Sequence, residues 1–437
     1  MTHPRVLFVT PAAFNRITGG GITFTNLFTG WPKDALACVH SDPVPTTPEV
    51  CDRYYSLGPD EIRAWGPLQR LRGGTANNAV DSGGPVGPTG KPSPKTAALR
   101  AVRKFIFGDG LPEIGRLSPR LEDWITKFRP QVLYTILGSN GMMELVDAIR
   151  RRFDLPVVVH IMDDWVEAHN RSGLLSGIER GRMIRLVGNA MGTATTRMAI
   201  CDAMADAYRD RYGSPFSVFQ NTIDVAKWRH TAKTDLTPSN PVRLLYTGSI
   251  LPFAQTRSLV ECAEVVKRLN DQGFAVQLDV HAPAFLLDPI RDQLQTCAQV
   301  RLLAPITDDD AYFGALAAAD LLLLPVNFDD HTIRYIRFSM PTKVPSYLVA
   351  GTPVLVYGPA GIAQVEYARR SGWGMVLDAQ GLDGLMNAIK VSSTDQELRR
   401  RLSQAAQTAA QANHDAAQVR ARFQGELVAA ANRGTAR

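Results

Sequence analysis

"SMPTKVPSYLVAGTPVLVYGPAG", residues 339–361, reads as one complete step of an α/β fold. A polar turn containing Pro341 starts a short helix. Gly351-Thr352-Pro353 stops it, because glycine takes the left-handed cap and proline cannot continue a helix. "VLVY" then follows as a short apolar run, the mark of a strand buried on both faces of a parallel sheet. Working outward from this corner, the same kind of run recurs along the chain. A first series is "RVLFVT" (5–10), "QVLYTIL" (131–137), "PVVVHIM" (156–162) and "MAIC" (198–201). A second is "VRLLYTG" (242–248), "AVQLDVHA" (275–282), "ADLLLLPV" (319–326), "PVLVYG" (353–358) and "GMVLD" (374–378). Helical segments such as 256–269 and 309–318 lie between them. Alternation of strand and helix predicts βαβ units and doubly wound α/β domains, with ligands outside the carboxyl ends of the strands.

The chain has 437 residues, enough for two domains, each with a large core. The polar stretch "VAKWRHTAKTDLTPSNP" (225–241) reads as the linker between them. The expectation is therefore an N-terminal Rossmann-like domain over 1–224, a C-terminal one over 242–394, a cleft between them, and a helical tail over 395–437. Hydrophobic residues make up 45% and charged residues 21%, values of an ordinary globular protein. No apolar run reaches the roughly 18 residues of a membrane span. The apolar start is too short for a signal peptide and reads as a first strand. Five scattered cysteines without a Cys-x-x-Cys pair fit a reducing cytoplasm and no zinc knuckle. The net charge of +6 suits an anionic ligand or an anionic membrane surface, and no basic run or aromatic motif points to nucleic acid.

Two stretches depart from the pattern. "RGGTANNAVDSGGPVGPTGKPSPK" (72–95) is dense in Gly, Pro, Asn and Ser, as mobile loops are. In "TAALRAVRKFIFG" (96–108), Leu99, Val102, Phe105 and Ile106 share a helical face beside Arg100, Arg103 and Lys104. That helix either packs on the sheet or rests peripherally on the inner face of a membrane.

Candidate chemistry sits at strand ends. After the first strand come Gly19, Gly20 and Gly21, which would let backbone N–H groups approach an anion, or would simply form a flexible loop. "VVVHIMDDWVE" puts His160, Asp163 and Asp164 at the end of a buried strand, where a carboxylate or imidazole can orient or deprotonate a hydroxyl. The competing reading is a core histidine and a helix cap by Asp164. No third ligand accompanies the Asp-Asp pair, so no bound metal is expected. Asp308 and Asp310 precede an alanine-rich helix and read as capping charge. In the second half Gly248 and Ser249 end a strand, Arg257 falls in the next helix's first turn, and Arg334, Arg337 and Lys343 follow. Backbone donors, a helix start and a few cations together suit a diphosphate without a metal.

These pieces resemble a family. The glycine stretch 19–21, "ICDAMADAYRDRYGSPFSVFQNTID" (200–224), "YTGSI" (246–250), "AAADLLLLPV" (317–326) and "PTKVPSYLVAGTPVLVYGP" (341–359) are similar, in order, to GT-B-fold glycosyltransferases, close to glycosyltransferase family four. The resemblance implies transfer of a sugar from a nucleoside-diphosphate sugar to a hydroxyl acceptor, with retention and without a bound metal or other cofactor. The basic helix and the net charge point to an acceptor such as a growing surface glycan or lipid-linked saccharide. His160, Asp163 and Asp164 would lie by the transferred sugar. Gly20, Gly21, Gly248, Ser249, Arg257, Arg334, Arg337, Thr342, Lys343 and Ser346 would serve the donor, and Asn221 and Asp224 close the first domain. The chain also departs from the pattern. Where the family carries two glutamates, Phe338 and Ser346 stand, and Ser249 and Ala254 replace its usual arginine and lysine. A catalytically silent nucleotide- or glycan-binding scaffold, and a nucleotide-sugar epimerase or hydrolase, therefore stay open beside a divergent transferase.

Overall fold

The computed structural model describes residues 3–64, 105–106, 112–168 and 172–435. The chain divides into two compact units, residues 1–220 with 420–437, and residues 221–419. The strands are β1 (Val6–Thr10), β2 (Leu36–His40), β3 (Tyr54–Ser56), β4 (Ile62–Ala64), β5 (Glu113–Gly115), β6 (Val132–Thr135), β7 (Val157–Ile161), β8 (Thr196–Ala199) and β9 (Ser217–Val218) in the first unit. The second holds β10 (Val242–Thr247), β11 (Val276–His281), β12 (Val300–Leu303), β13 (Leu321–Pro325), β14 (Val354–Tyr357) and β15 (Gly374–Leu377).

The first unit is a seven-stranded parallel sheet in the order β3-β2-β1-β6-β7-β8-β9, with β4 and β5 as a separate antiparallel pair. A six-stranded parallel sheet, β12-β11-β10-β13-β14-β15, forms the second. Both are doubly wound, and the strand order reverses at β1/β6 and at β10/β13, the places where such sheets leave a crevice at their carboxyl ends. The apolar runs explain the sheets: every residue of β1, β2, β6, β7, β13 and β14 is buried. The opening corner folds as read, a helix Val344–Ala350 capped by left-handed Gly351 and followed by β14. A side chain on Gly351 would meet the Gln407 amide at 2.5 Å as well as the positive φ, so this position requires glycine twice over.

Residues 225–241, expected to be a linker, are packed parts of the second unit. Val225 and Trp228 are buried, and Trp228 stacks on Phe313 with ring centroids 4.0 Å apart. Asp320, fully buried at the foot of β13, accepts hydrogen bonds from the Ser239 and Arg243 backbone and pairs with Lys233 (3.6 Å) and Arg399 (3.7 Å). Lys233 and the Ser239 amide thus serve a buried charge cluster, while Lys227, Arg229, His230, Thr234, Asp235, Thr237 and Asn240 face solvent. The helical tail, expected to stand apart, is divided: residues from Arg420 onward belong to the first unit, where Phe423 packs on Phe28, Tyr134 and Phe219. The glycine-rich stretch 72–95 and residues 96–104 lie outside the described residues. Among the described residues, no helix is long and apolar enough to cross a membrane.

Candidate functional site

At the end of β10 the chain leaves Thr247 through Gly248, whose φ of +113° only glycine adopts without strain. The Lys343 side chain fills the space a Cβ would need: its Nζ and Cε lie 3.1 and 3.2 Å from that point. The same ammonium sits 3.9 Å from the centroid of the Tyr246 ring. Lys343 precedes the helix Val344–Ala350, so the opening corner delivers it to the β10/β13 switch point. Among the described residues no carboxylate pairs with it, and burial alone pushes the ammonium down to about 7. A cation held in this way gains most from an anion.

Hydroxyls gather at the same strand end. Tyr347 lies 3.3 Å from both the Thr247 amide, which donates to it, and the Thr247 hydroxyl. Tyr312, on the helix Asp309–Ala318, hydrogen-bonds Thr247 and Ser346. Ser346 therefore has the neutral Tyr312 hydroxyl as a neighbour. Ser249 lies just beyond, its carbonyl accepting from the Tyr246 hydroxyl. The Thr342 carbonyl accepts from the Asn221 side chain at 2.8 Å. The sequence singled out Gly248, Lys343 and Ser346 and did not single out Tyr312 and Tyr347, which the structure ties to Thr247 beside Gly248. Their only signal was their place near two helix starts, which becomes informative once the strand order is known.

The arginines stand differently. Arg257 begins its helix as expected, but its side chain is 73% exposed and only 3.9 Å from Asp329. The first N–H groups of that helix are occupied, because the buried Asn327 side chain accepts from Arg257 and Ser258 at 2.9 and 3.2 Å. The helix start therefore offers its charge at this point but not these two donors. Arg334 is exposed and bonds the Asp330 carbonyl, and Arg337 is exposed over the Phe338 ring. Phe338 itself is buried.

In the first unit the strand-end residues take structural places. His160 on β7 is fully buried, with its Nδ1 2.7 Å from the Tyr134 hydroxyl and Phe219 and Phe423 around it. Burial drives its imidazole down to about 3, so it stays neutral and is closed off from solvent. Asp164 directly precedes the short helix Trp165–Ala168, and its carbonyl accepts from the Glu167 amide. Its carboxylate takes hydrogen bonds from Tyr208 (2.9 Å) and both terminal nitrogens of Arg211 (3.0 and 3.2 Å), and the residue is 5% exposed. Such a bidentate ion pair leaves its carboxylate little capacity for catalysis. Of the three, Asp163 alone keeps partial exposure. Gly20 and Gly21 are not loop residues: they form the first turn of the helix Gly19–Phe28, where the Thr18 hydroxyl accepts from the Gly21 amide. Gly21 is needed because a Cβ there would come within 2.3 Å of the Asn15 side chain. Asp308 and Asp224 cap their helices, accepting from Ala311 and Lys227.

No protein-family profile matches the chain, and no curated protein matches it. Solved structures do. Sucrose-phosphate synthase from Thermosynechococcus elongatus aligns over 98% of both chains with a TM-score of 0.62 at 13% identity. WaaG, a glycosyltransferase involved in lipopolysaccharide biosynthesis, aligns over 97% of this chain and 99% of its own, with a TM-score of 0.60 at 13% identity. The α,α-trehalose 6-phosphate synthase of Burkholderia multivorans aligns over 100% and 99%, with a TM-score of 0.59 at 12% identity. The class defined by two doubly wound Rossmann-like units and these likenesses is the GT-B fold.

Proposed function

We propose that the protein is a glycosyltransferase that moves a sugar from a nucleoside-diphosphate sugar to a hydroxyl acceptor, with the donor held by the second unit. One observation carries this reading: the Lys343 ammonium, without a carboxylate among the described residues, lies against Gly248 at the carboxyl end of β10. A diphosphate there gives the part-buried cation the counter-charge it lacks, and Tyr312 and Ser346 offer neutral hydroxyls to the ribose. Arg257, Arg334 and Arg337 are exposed cations of the same unit available to an anionic donor. In the transfer, the bond between the anomeric carbon and the diphosphate oxygen breaks and a bond to the acceptor oxygen forms. The acceptor proton passes to the leaving phosphate. Lys343 offsets the charge that develops on that phosphate, a contribution that grows from ground state to transition state. This front-face course retains configuration and uses no metal. A glycan or lipid-linked saccharide serves as acceptor. Peripheral contact with an anionic membrane belongs to the same proposal, supported by Phe105, Leu174 and Ile178, each more than two-thirds exposed.

A thermal-shift panel of UDP, GDP, dTDP, ADP and CMP with their common sugar conjugates tests the reading. One diphosphate at about 100 times its dissociation constant stabilises the fold by about 2.7 kcal/mol. No shift with any of them overturns the donor site and leaves the scaffold reading, which the buried Phe338 favours. Sugar release or epimerisation without an acceptor would identify a hydrolase or epimerase.

A further inference from the structure

Lys343 is held from a distant part of the chain. The peptide before it is anchored by Asn221, the first residue of the second unit, whose amide donates to the Thr342 carbonyl at 2.8 Å. Asn221 is itself held by His414: the imidazole Nδ1 lies 2.9 Å from the Asn221 carbonyl. The other ring nitrogen, Nε2, lies 3.0 Å from the Tyr367 hydroxyl, which also takes the Asn413 amide at 3.1 Å. His414 is 1% exposed, and burial lowers its imidazole to about 4, so it is neutral at ordinary pH. A carbonyl can only accept, so this network assigns the proton to Nδ1 and the lone pair to Nε2. Every bond then has one direction: Tyr367 donates to His414, His414 to Asn221, and Asn221 to Thr342. His414 ends a π-helical turn, Ala410–His414, a local departure from α-helix that often marks functional sites. Around it Ile223 and Asp415 form a bridge, with Ile223 donating to the His414 carbonyl and Ala416 to that of Ile223.

We propose that His414 and Asn221 are positioning residues for the donor site, a relay that fixes the Thr342–Lys343 peptide so that the ammonium stays against Gly248 and Tyr246. The inference rests on the reading of Lys343 as the donor's cation. A merely structural relay would leave the lysine's own environment unchanged when it is cut. A positioning relay would release the ammonium toward water.

The test is the titration of Lys343 in the full chain, read by NMR after reductive 13C-methylation of the lysines and assigned by the resonance lost in Lys343→Arg. The wild-type midpoint should lie well below the ordinary lysine value, pushed down by burial to about 7. Asn221→Ala and His414→Leu move the midpoint upward by about one pH unit or more, toward the ordinary lysine value near about 10.4. His414→Asn, whose amide can replace the Nδ1 donor, keeps it near that of wild type, and Tyr367→Phe gives a smaller shift in a chain that loses one hydroxyl. Unchanged midpoints in Asn221→Ala, His414→Leu and Tyr367→Phe overturn the relay. This readout needs no donor. A shifted midpoint in a chain that binds no nucleoside diphosphate sustains the relay and removes the donor reading. Unchanged midpoints in a chain that binds one do the reverse.

Discussion

Lys343 couples the site to pH. In the free protein burial pushes its ammonium down to about 7, and among the described residues no carboxylate supports the charge. A bound diphosphate favours the charged form and raises that value. Binding therefore takes up a proton above pH 7: affinity is full below 7 and declines as pH rises through it, by up to about tenfold per pH unit. Calorimetric titration of the diphosphate identified by the panel checks this. Lys343→Ala costs about 1.5–3 kcal/mol of donor affinity at pH 6, the scale of a charged hydrogen bond. It also flattens the pH profile, and an unchanged affinity would contradict the assignment. At this scale the sequence was partly legible. Lys343, Gly248 and Ser346 stood in one recognisable stretch and one strand end. Tyr312 and Tyr347 were silent, since only the parallel packing of β10 beside β13 brings three separate segments to one point. His160 and Asp164 misled because a strand-end position does not tell whether a side chain turns to solvent or to the aromatic core and Arg211.

Elements were legible where burial is two-sided. Runs such as "LLLLP" and "VLVY" have no polar face to present and so must be central strands. Three edge strands were not: β3, β9 and β12 are short and part-exposed and carry no continuous apolar run, unlike the edge strand β15, whose "MVL" was legible. β2 was not legible either, though fully buried, because Ala37 and Cys38 dilute its signal. The helix Ser176–Thr193 makes a prediction of its own. Ile178 and Ile184 are exposed on it, Leu174 and Leu175 precede it, and Leu174 is tied to the Phe105 carbonyl at 3.1 Å. Exposed Arg185 lies beside them, and Arg100, Arg103 and Lys104 precede Phe105 in sequence. Apolar side chains flanked by cations suit an anionic bilayer surface, where each buried methylene contributes about 0.8 kcal/mol. Wild type should sediment with phosphatidylglycerol vesicles and not with neutral ones. Leu174→Asp with Ile178→Asp should weaken that partition by about tenfold or more, and equal partition would remove the membrane contact.

For the whole molecule, two doubly wound units followed from the two series of strand runs, each beginning with its own β1-like strand. The boundary at Gln220 and the return at Arg420 did not, because they depend on which core the aromatic Phe423 and the polar 225–241 stretch join. That division makes the central claim local: the donor belongs to residues 221–419, around β10 and the Lys343 corner. Hydrogen exchange on the intact chain, with and without the nucleoside diphosphate identified by the panel, tests this most directly. The account predicts slowed exchange over 246–250 and 342–348, at the ends of β10 and the start of the helix Val344–Ala350, with the strands of the first unit unchanged. Protection confined to the first unit, with 246–250 and 342–348 exchanging as in the free protein, would contradict it.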